Sequence, residues 1–299
     1  MKRLIVAVGT IAVAAAAFAA WTVAAPAGRS HVAVAAAKLP ALPAEVKQRK
    51  RWVIGVKCDF PPFGFIDVQG RNGGYDVEVG RWFARYAFGR AQRVNFVCVT
   101  TPSRIPALQA KRVDIIISTL TYTPARAQVI DFSIPYYAAT GRLLVPNNSS
   151  IQSTRDLAGK TVVSTRGSIY DRWVTKCFTN THLLLTDTTS AALLALKDGR
   201  ADTFMFDDAL LLGLATQDRD LKLTSDKFLA IPWGIGIRKG ETAMKRWVDS
   251  RLRLMKKKDI FWKILQDNAP KRLVGSFRAN VPRPNSNIKY PAGDPSTTC

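Results

Sequence analysis

Histidine is nearly absent from this chain. Two occur in 299 residues, His31 and His182. That is too few for a His/Cys metal cluster, and it supplies a Ser-His-Asp arrangement poorly. Cysteine is sparse as well. Cys58, Cys98, Cys177 and Cys299 follow no zinc-ligand spacing, and four thiols allow three full pairings. Acid is short relative to base, with 22 Asp and Glu against 44 Lys and Arg, a formal net charge of +22. Such a balance admits anionic partners or surfaces. The basic residues are scattered, however, and no aromatic-interleaved basic stripe accompanies them, which argues against nucleic acid. After the first few dozen residues there is no apolar run long enough to cross a membrane.

What is present begins with a leader. Met1-Lys2-Arg3 is a short positive segment, Leu4 to Ala20 is apolar and alanine-rich, and small-residue cleavage patterns follow at Ala17-Phe18-Ala19 and Ala25-Pro26-Ala27. Residues 1–27 read as a secretory signal peptide, with an uncleaved anchor as the alternative. No cysteine stands near the cleavage patterns, so a lipid anchor is not expected. Export would place the cysteines where disulfides form. Residues 28–50, rich in Ala, Pro and Lys towards their end, read as a flexible N-terminal arm.

Order is expected from "RWVIGVK" onward. Trp52 to Val56 is a short apolar run rich in β-formers, hence a buried strand. Paired prolines and glycines in "CDFPPFGFIDVQGRNGGYD" mark a loop with a turn. Tyr75, Val79, Trp82, Phe83 and Tyr86 then recur at helical spacing, with Asp76 and Glu78 in the first turn where the helix dipole favours acids. Strands at Val94 to Val99 and Val113 to Ser118 flank a short helix from Arg104, and this alternation predicts an α/β fold with a largely parallel sheet. Cys58 and Cys98 fall at the ends of strands expected to be neighbours, which makes them the first candidate pair.

The pattern then repeats. "ALQAKRVD" (107–114) and "ALKDGRAD" (195–202) both read Ala-Leu, three residues, Arg, one residue, Asp, and both lead into an apolar strand. The second half also carries a strand at Thr161 to Ser164, a loop at Arg166-Gly167-Ser168, and a helix capped at Thr189 or Ser190 and stopped at Gly199. Two similar lobes are therefore expected, residues 51–141 with 238–299 and residues 142–237. The apolar "RLLVP" would cross between them and "IPWGIGIRKG" would return the chain. Ligand sites favour such interfaces and the carboxyl ends of sheet strands.

Several polar residues stand at those strand ends: Lys57, Thr101, Arg104, Thr119, Thr121, Arg126, Ser168 and Asp207. They suit an amino acid. Arg126 can grip a carboxylate with two parallel bonds, a helix start at Ser168 and Ile169 offers free N–H groups, and Asp207 can accept from an ammonium. Phe60 supplies an apolar wall. Lys57 and Arg104 are surplus for a neutral amino acid and would fit a second carboxylate, although Asp59 stands close enough to neutralise Lys57. Nothing here calls for a cofactor or a metal.

The segments "GVKCDFPPFGFID", "GGYDVEV", "SRIPALQAKRVDIIISTLTYTPARAQVIDFSIPYY", "DLAGKTVVSTRGS" and "ALLALKDGRADTFMFDD" together resemble the family 3 extracellular solute-binding proteins that feed polar amino acids to ABC importers. The resemblance runs from Trp52 to about Lys239, and "SRIP" with Lys57 resembles the aspartate/glutamate-binding branch. It implies a two-lobed, periplasmic binding protein-like type II fold with an interlobe ligand cleft. It implies a periplasmic or extracytoplasmic monomer that binds an amino acid, partners a membrane permease and is not an enzyme. It also implies that Thr119, Thr121, Arg126, Gly167, Ser168 and the Ile169 amide meet the ligand carboxylate, and that Asp207 meets its ammonium. Thr119 departs from the wider family, which often has glycine there. The alternatives are a glutamine or other polar amino-acid binder, an exported dehydratase using Asp207 as its acid, and a sensory or adhesive module acting through the basic surface.

Overall fold

The computed structural model describes residues 39–299; the expected signal peptide and most of the expected arm lie outside them. The first sheet has the strand order Val94–Cys98, Trp52–Val56, Ile115–Ile116, Gly236–Arg238, Ile130–Phe132. The first three run parallel, and Gly236–Arg238 is antiparallel to both of its neighbours. The second sheet has the order His182–Thr186, Thr161–Thr165, Thr203–Asp207, Thr140–Pro146, Leu221–Leu223, with Phe228–Ala230 also on Thr140–Pro146. Again the first three are parallel and the fourth is antiparallel. In each sheet the antiparallel strand is the one that has just arrived from the other lobe.

The repeated octapeptide has the same task in both lobes. Asp114 accepts from the Val53 amide at 2.8 Å and its own amide donates back to the Val53 carbonyl at 2.8 Å. Asp202 does the same with Thr161, at 2.7 and 2.8 Å. Each acid thus stitches the third strand to the start of the first. The left-handed turn before it falls at Lys111 (φ 58°) in one lobe and at Gly199 (φ 70°) in the other.

Two expectations change. "RLLVP" is not a crossing but the middle of the second sheet: Leu143, Leu144 and Val145 are fully buried because strands pair on both sides of them. A strand covered on both faces reads as a continuous apolar run, which also fits a buried connector. The crossings instead pass through Tyr136–Ala139 and Ile231–Trp233, which run antiparallel, with Trp233 donating to the Tyr137 carbonyl and Ile231 to that of Ala139. Trp233 stacks on Tyr137 with centroids 4.4 Å apart. Thr140–Gly141 therefore belong to the second sheet and Gly236–Ile237 to the first, a shift of two residues from each expected boundary. The end of the expected arm is also built in. Ala44–Arg49 is a helix whose Val46 is fully buried and whose Arg49 pairs with Asp114. One buried residue in six gives no periodicity to read.

The helix expected after the glycine turn is Tyr75–Phe88, burying Tyr75, Val79 and Phe83. Trp52, at the start of the first strand, packs against Phe83 and Trp247. The disulfides are Cys58–Cys98 and Cys177–Cys299. Among the described residues no helix is long and apolar enough to cross a membrane, and no three His, Cys, Asp or Glu side chains gather as metal ligands.

Candidate functional site

The carboxyl ends of the parallel strands in both sheets face one gap. Thr101, Arg104, Thr119, Thr121 and Arg126 line it from the first lobe, and Ser168, Ile169, Tyr170, Phe206 and Asp207 from the second. Its free volume is only about 10 Å³, on the order of one water. Larger grooves, of about 340 and 350 Å³, lie elsewhere on the surface, but neither gathers polar groups from both sheets. The lobes are closed on each other. Arg126 donates Nη2 to the Gly167 carbonyl across the gap at 2.8 Å. Thr189 donates its amide and its hydroxyl to Asp59, with bonds of 2.6 to 2.9 Å. Thr165 reaches Thr101 at 3.4 Å.

Local structure places each group. Pro124 starts the helix Pro124–Val129 and Thr123 caps it, accepting from the Arg126 amide at 3.2 Å. Arg126 also donates Nη1 to the Thr121 carbonyl at 2.7 Å. Ser168 caps the helix Ile169–Cys177 by accepting from the Asp171 amide, which points that helix's positive end into the gap. Gly167 takes φ 70°, a conformation that costs glycine nothing and lets its carbonyl turn to Arg126. Asp207 stands at the start of Asp208–Gln217 without capping it; its carboxylate accepts from the Tyr170 hydroxyl at 2.7 Å instead.

Thr119 lies at φ 50°. A β-branched residue in that region costs about 1–3 kcal/mol, and the surroundings hold it there. Its amide donates to Asp76 at 2.9 Å and to the Tyr136 hydroxyl at 3.2 Å, and Arg104 donates Nη1 to the carbonyls of Ser118 and Thr119. A glycine at this position would take the same φ without strain. Asp76 is more than the dipole-matched acid expected from its place in the helix: it is fully buried and supports the cleft from behind.

The electrostatics favour a charged guest. Burial, reinforced by Arg104 and Arg172, pushes the Arg126 pKa well below the ordinary arginine value. Burial brings Arg104 to about 10, opposed by Asp207, Tyr136 and Asp76. A guanidinium nonetheless stays charged in a protein, so the cost of hiding it is relieved when a carboxylate arrives. Among the described residues the Arg104 Nε has no partner. Burial raises Asp207 to about 7, against the pull of the Tyr170 hydrogen bond and both arginines. Asp76 is raised to about 7 by burial as well.

Two expected residues lie outside the lining. The Lys57 ammonium is fully buried and 3.0 Å from Asp59; burial lowers its pKa and Asp59 opposes that. The acid two residues on has claimed it, as their spacing allowed. Phe60 sits behind the gap, its ring 5.9 Å from Phe206 and 6.0 Å from both Phe63 and Trp233. The wall itself is Phe206 with Tyr170, which the sequence reading missed. Their adjacency to Asp207 and Ile169 was the available signal.

Residues 52–268 match the model of the bacterial extracellular solute-binding proteins, family 3. The chain belongs to that family. It is 32% identical over 215 residues to the ABC transporter glutamine-binding protein GlnH of Bacillus subtilis, covering 71% of this chain and 79% of that one. Among solved structures it is similar to the cysteine-binding protein of Campylobacter jejuni, at 31% identity and TM-score 0.73 over 75% of this chain and 91% of that one. It is also similar to a mutant of ArgBP from T. maritima, at 32% identity and TM-score 0.71 over 75% and 97%. The two-lobed type II periplasmic binding protein fold expected of a family 3 chain is the fold observed. The aspartate/glutamate branch is not singled out by these relatives.

Proposed function

We propose that this family 3 protein captures a free L-amino acid, glutamate or aspartate, outside the cytoplasm and delivers it to an ABC transporter permease without chemical turnover. The observation that carries the reading is the charge balance of the cleft: Arg104 and Arg126 line it against one acid, Asp207. Two cations and one anion complement two carboxylates and one ammonium. Arg126 takes the α-carboxylate with the Ser168–Ile169 helix start, Asp207 takes the α-ammonium, and Arg104 takes the side-chain carboxylate. Lys57 is paired with Asp59 and leaves the side-chain carboxylate to Arg104. A cationic side chain would meet Arg104 head-on.

Free ligand enters with the lobes apart, and hinge closure then brings the second lobe's groups onto it. Micromolar affinity requires about 8 kcal/mol. Three or four charge-assisted bonds of about 1.5–3 kcal/mol each reach that after the cost of ordering. Glutamine is the second reading. Its amide oxygen can accept from Arg104, and glutamine-binding proteins stand among the relatives at 32% and 34% identity.

Isothermal titration calorimetry on unfolded and refolded protein, with L-glutamate, L-aspartate and L-glutamine, tests this. Tight binding of the acids with weak glutamine supports Arg104 as the side-chain reader. Preference for glutamine keeps the Arg126–Asp207 clamp and overturns the acidic specificity. Binding of none, with turnover of a prephenate-like substrate, moves Asp207 to the role of a catalytic acid.

A further inference from the structure

The last thirty-one residues lie beyond the stretch that matches the family, 52–268, yet they touch both lobes. The tail docks first on the lobe that carries Arg126. Arg283 donates to both carboxylate oxygens of Asp259 at 2.7 Å. Tyr290 stacks on Tyr122 with centroids 4.3 Å apart and donates its hydroxyl to the Ser133 carbonyl at 2.7 Å. Nine residues later the chain ends on the other lobe. Cys299 is bonded to Cys177, the last residue of the helix Ile169–Cys177. Trp173 donates Nε1 to the Thr298 carbonyl at 3.1 Å, and Ser296 in the turn Pro295–Thr297 is buried.

Between the anchors, the Asp294 carboxylate faces Arg172 at 3.6 Å. Arg172 also donates to the Thr123 hydroxyl at 3.3 Å, the same hydroxyl that receives the Arg126 amide. A continuous set of contacts thus runs from the tail, through the place where the helices Pro124–Val129 and Ile169–Cys177 meet, to the main arginine of the cleft.

We propose that Tyr290–Cys299 is a third, disulfide-anchored connection between the lobes that completes the cleft, with Asp294 as a positioning residue that holds Arg172, Thr123 and Arg126 in their closed arrangement. The two backbone crossings alone leave a hinge free to open. The tail limits that freedom because it is short and anchored at both ends. Nine residues reach at most about 30 Å when fully extended. The one regular turn, Pro295–Thr297, releases only about 4 Å on unwinding from roughly 2.0 to 3.4 Å per residue. Opening that carries the anchors past the tether's full reach must tear Tyr290 from Tyr122, because the other end is covalent. The expected consequences are a narrower unliganded ensemble and slower ligand release.

Three variants and one rescue test this: Cys177→Ser with Cys299→Ser, Tyr290→Ala with the disulfide intact, and Asp294→Asn, with Asp294→Glu as the rescue. Small-angle X-ray scattering of unliganded protein reads lobe opening without reference to any ligand. Stopped-flow fluorescence reads release of L-glutamate, L-aspartate or L-glutamine. The first two variants should enlarge the unliganded radius of gyration and speed release by about tenfold, since affinity within one interface is tuned mainly through dissociation. Asp294→Asn should speed release about threefold, and glutamate at that position should restore it. Unchanged scattering and release rates, with only a lowered melting temperature, would reduce the tail to a staple and overturn the proposal. Wider scattering in a protein that binds none of the three amino acids upholds the strap and overturns the ligand assignment instead.

Discussion

In the first lobe the strands end in arginines and hydroxyls; in the second, the same strand positions end in a helix start and an aspartate. The scaffolds match down to the acid that ties the third strand to the first, Asp114 in one and Asp202 in the other. The chemistry does not match. The first lobe offers strongly directional guanidinium cations, while the second offers fixed backbone N–H groups and one anion. On the proposed reading, a ligand carrying both charges is held fully only when the halves meet, so closure rather than either surface alone would set affinity. Strain divides the lobes as well. Thr119 is held at φ 50° in the first, whereas the positive φ in the lining loop of the second falls on a glycine, Gly167 at 70°.

The comparison breaks most visibly at Arg126. Arg126→Ala should cost about 2–5 kcal/mol of amino-acid binding, read by calorimetry; unchanged affinity would remove this residue from the clamp. On the second lobe, Asp207 gives a pH signature. Its pKa is raised to about 7, and only its ionised form pairs with an ammonium. Affinity should therefore be full above about pH 8 and fall by up to tenfold per unit as pH drops through 7, and Asp207→Asn should flatten the profile.

Arg104→Ala sharpens the assignment further. It should weaken glutamate and aspartate by about 1.5–3 kcal/mol and glutamine by clearly less; equal losses would show that Arg104 does not read the side chain. The latch contact should give a smaller effect. Thr189→Ala removes one hydroxyl from Asp59 and should cost about 0.5–1.5 kcal/mol, seen as faster release. The smallest change runs the other way. Thr119→Gly relieves the left-handed conformation and should raise stability by up to about 1 kcal/mol in chemical denaturation, with altered discrimination among ligands of different length.

Much of this architecture was legible because it rests on local rules. Alternating strands and helices, the Gly167-Ser168 loop and the paired octapeptides each carry short-range signals. Eight of the ten expected site residues line one cavity because they stand at strand ends, which topology gathers on one rim. Lys57 and Phe60 do not, because their fate was decided by neighbours. Asp59 takes the lysine, and a cluster of Phe63, Phe206 and Trp233 takes the ring. The tail's path was illegible for a similar reason. Tyr290, Asp294 and Cys299 find partners more than a hundred residues away, and no periodicity announces such contacts. The strand at "RLLVP" misled because full burial erases the alternation that identifies a strand.

The strand inserted against the grain in each sheet bears on how the chain is made. Gly236–Arg238 separates Ile115–Ile116 from Ile130–Phe132, so the first sheet cannot be finished until residue 238 exists. A chain emerging from its amino end has all the other first-sheet strands in hand a hundred residues before the piece that joins them. Over that interval the Ile130–Phe132 strand has no ladder partner, while the second sheet gathers its own strands. The half that is synthesised first is therefore the half completed last, whereas every strand of the second sheet lies in one continuous stretch, residues 140–230.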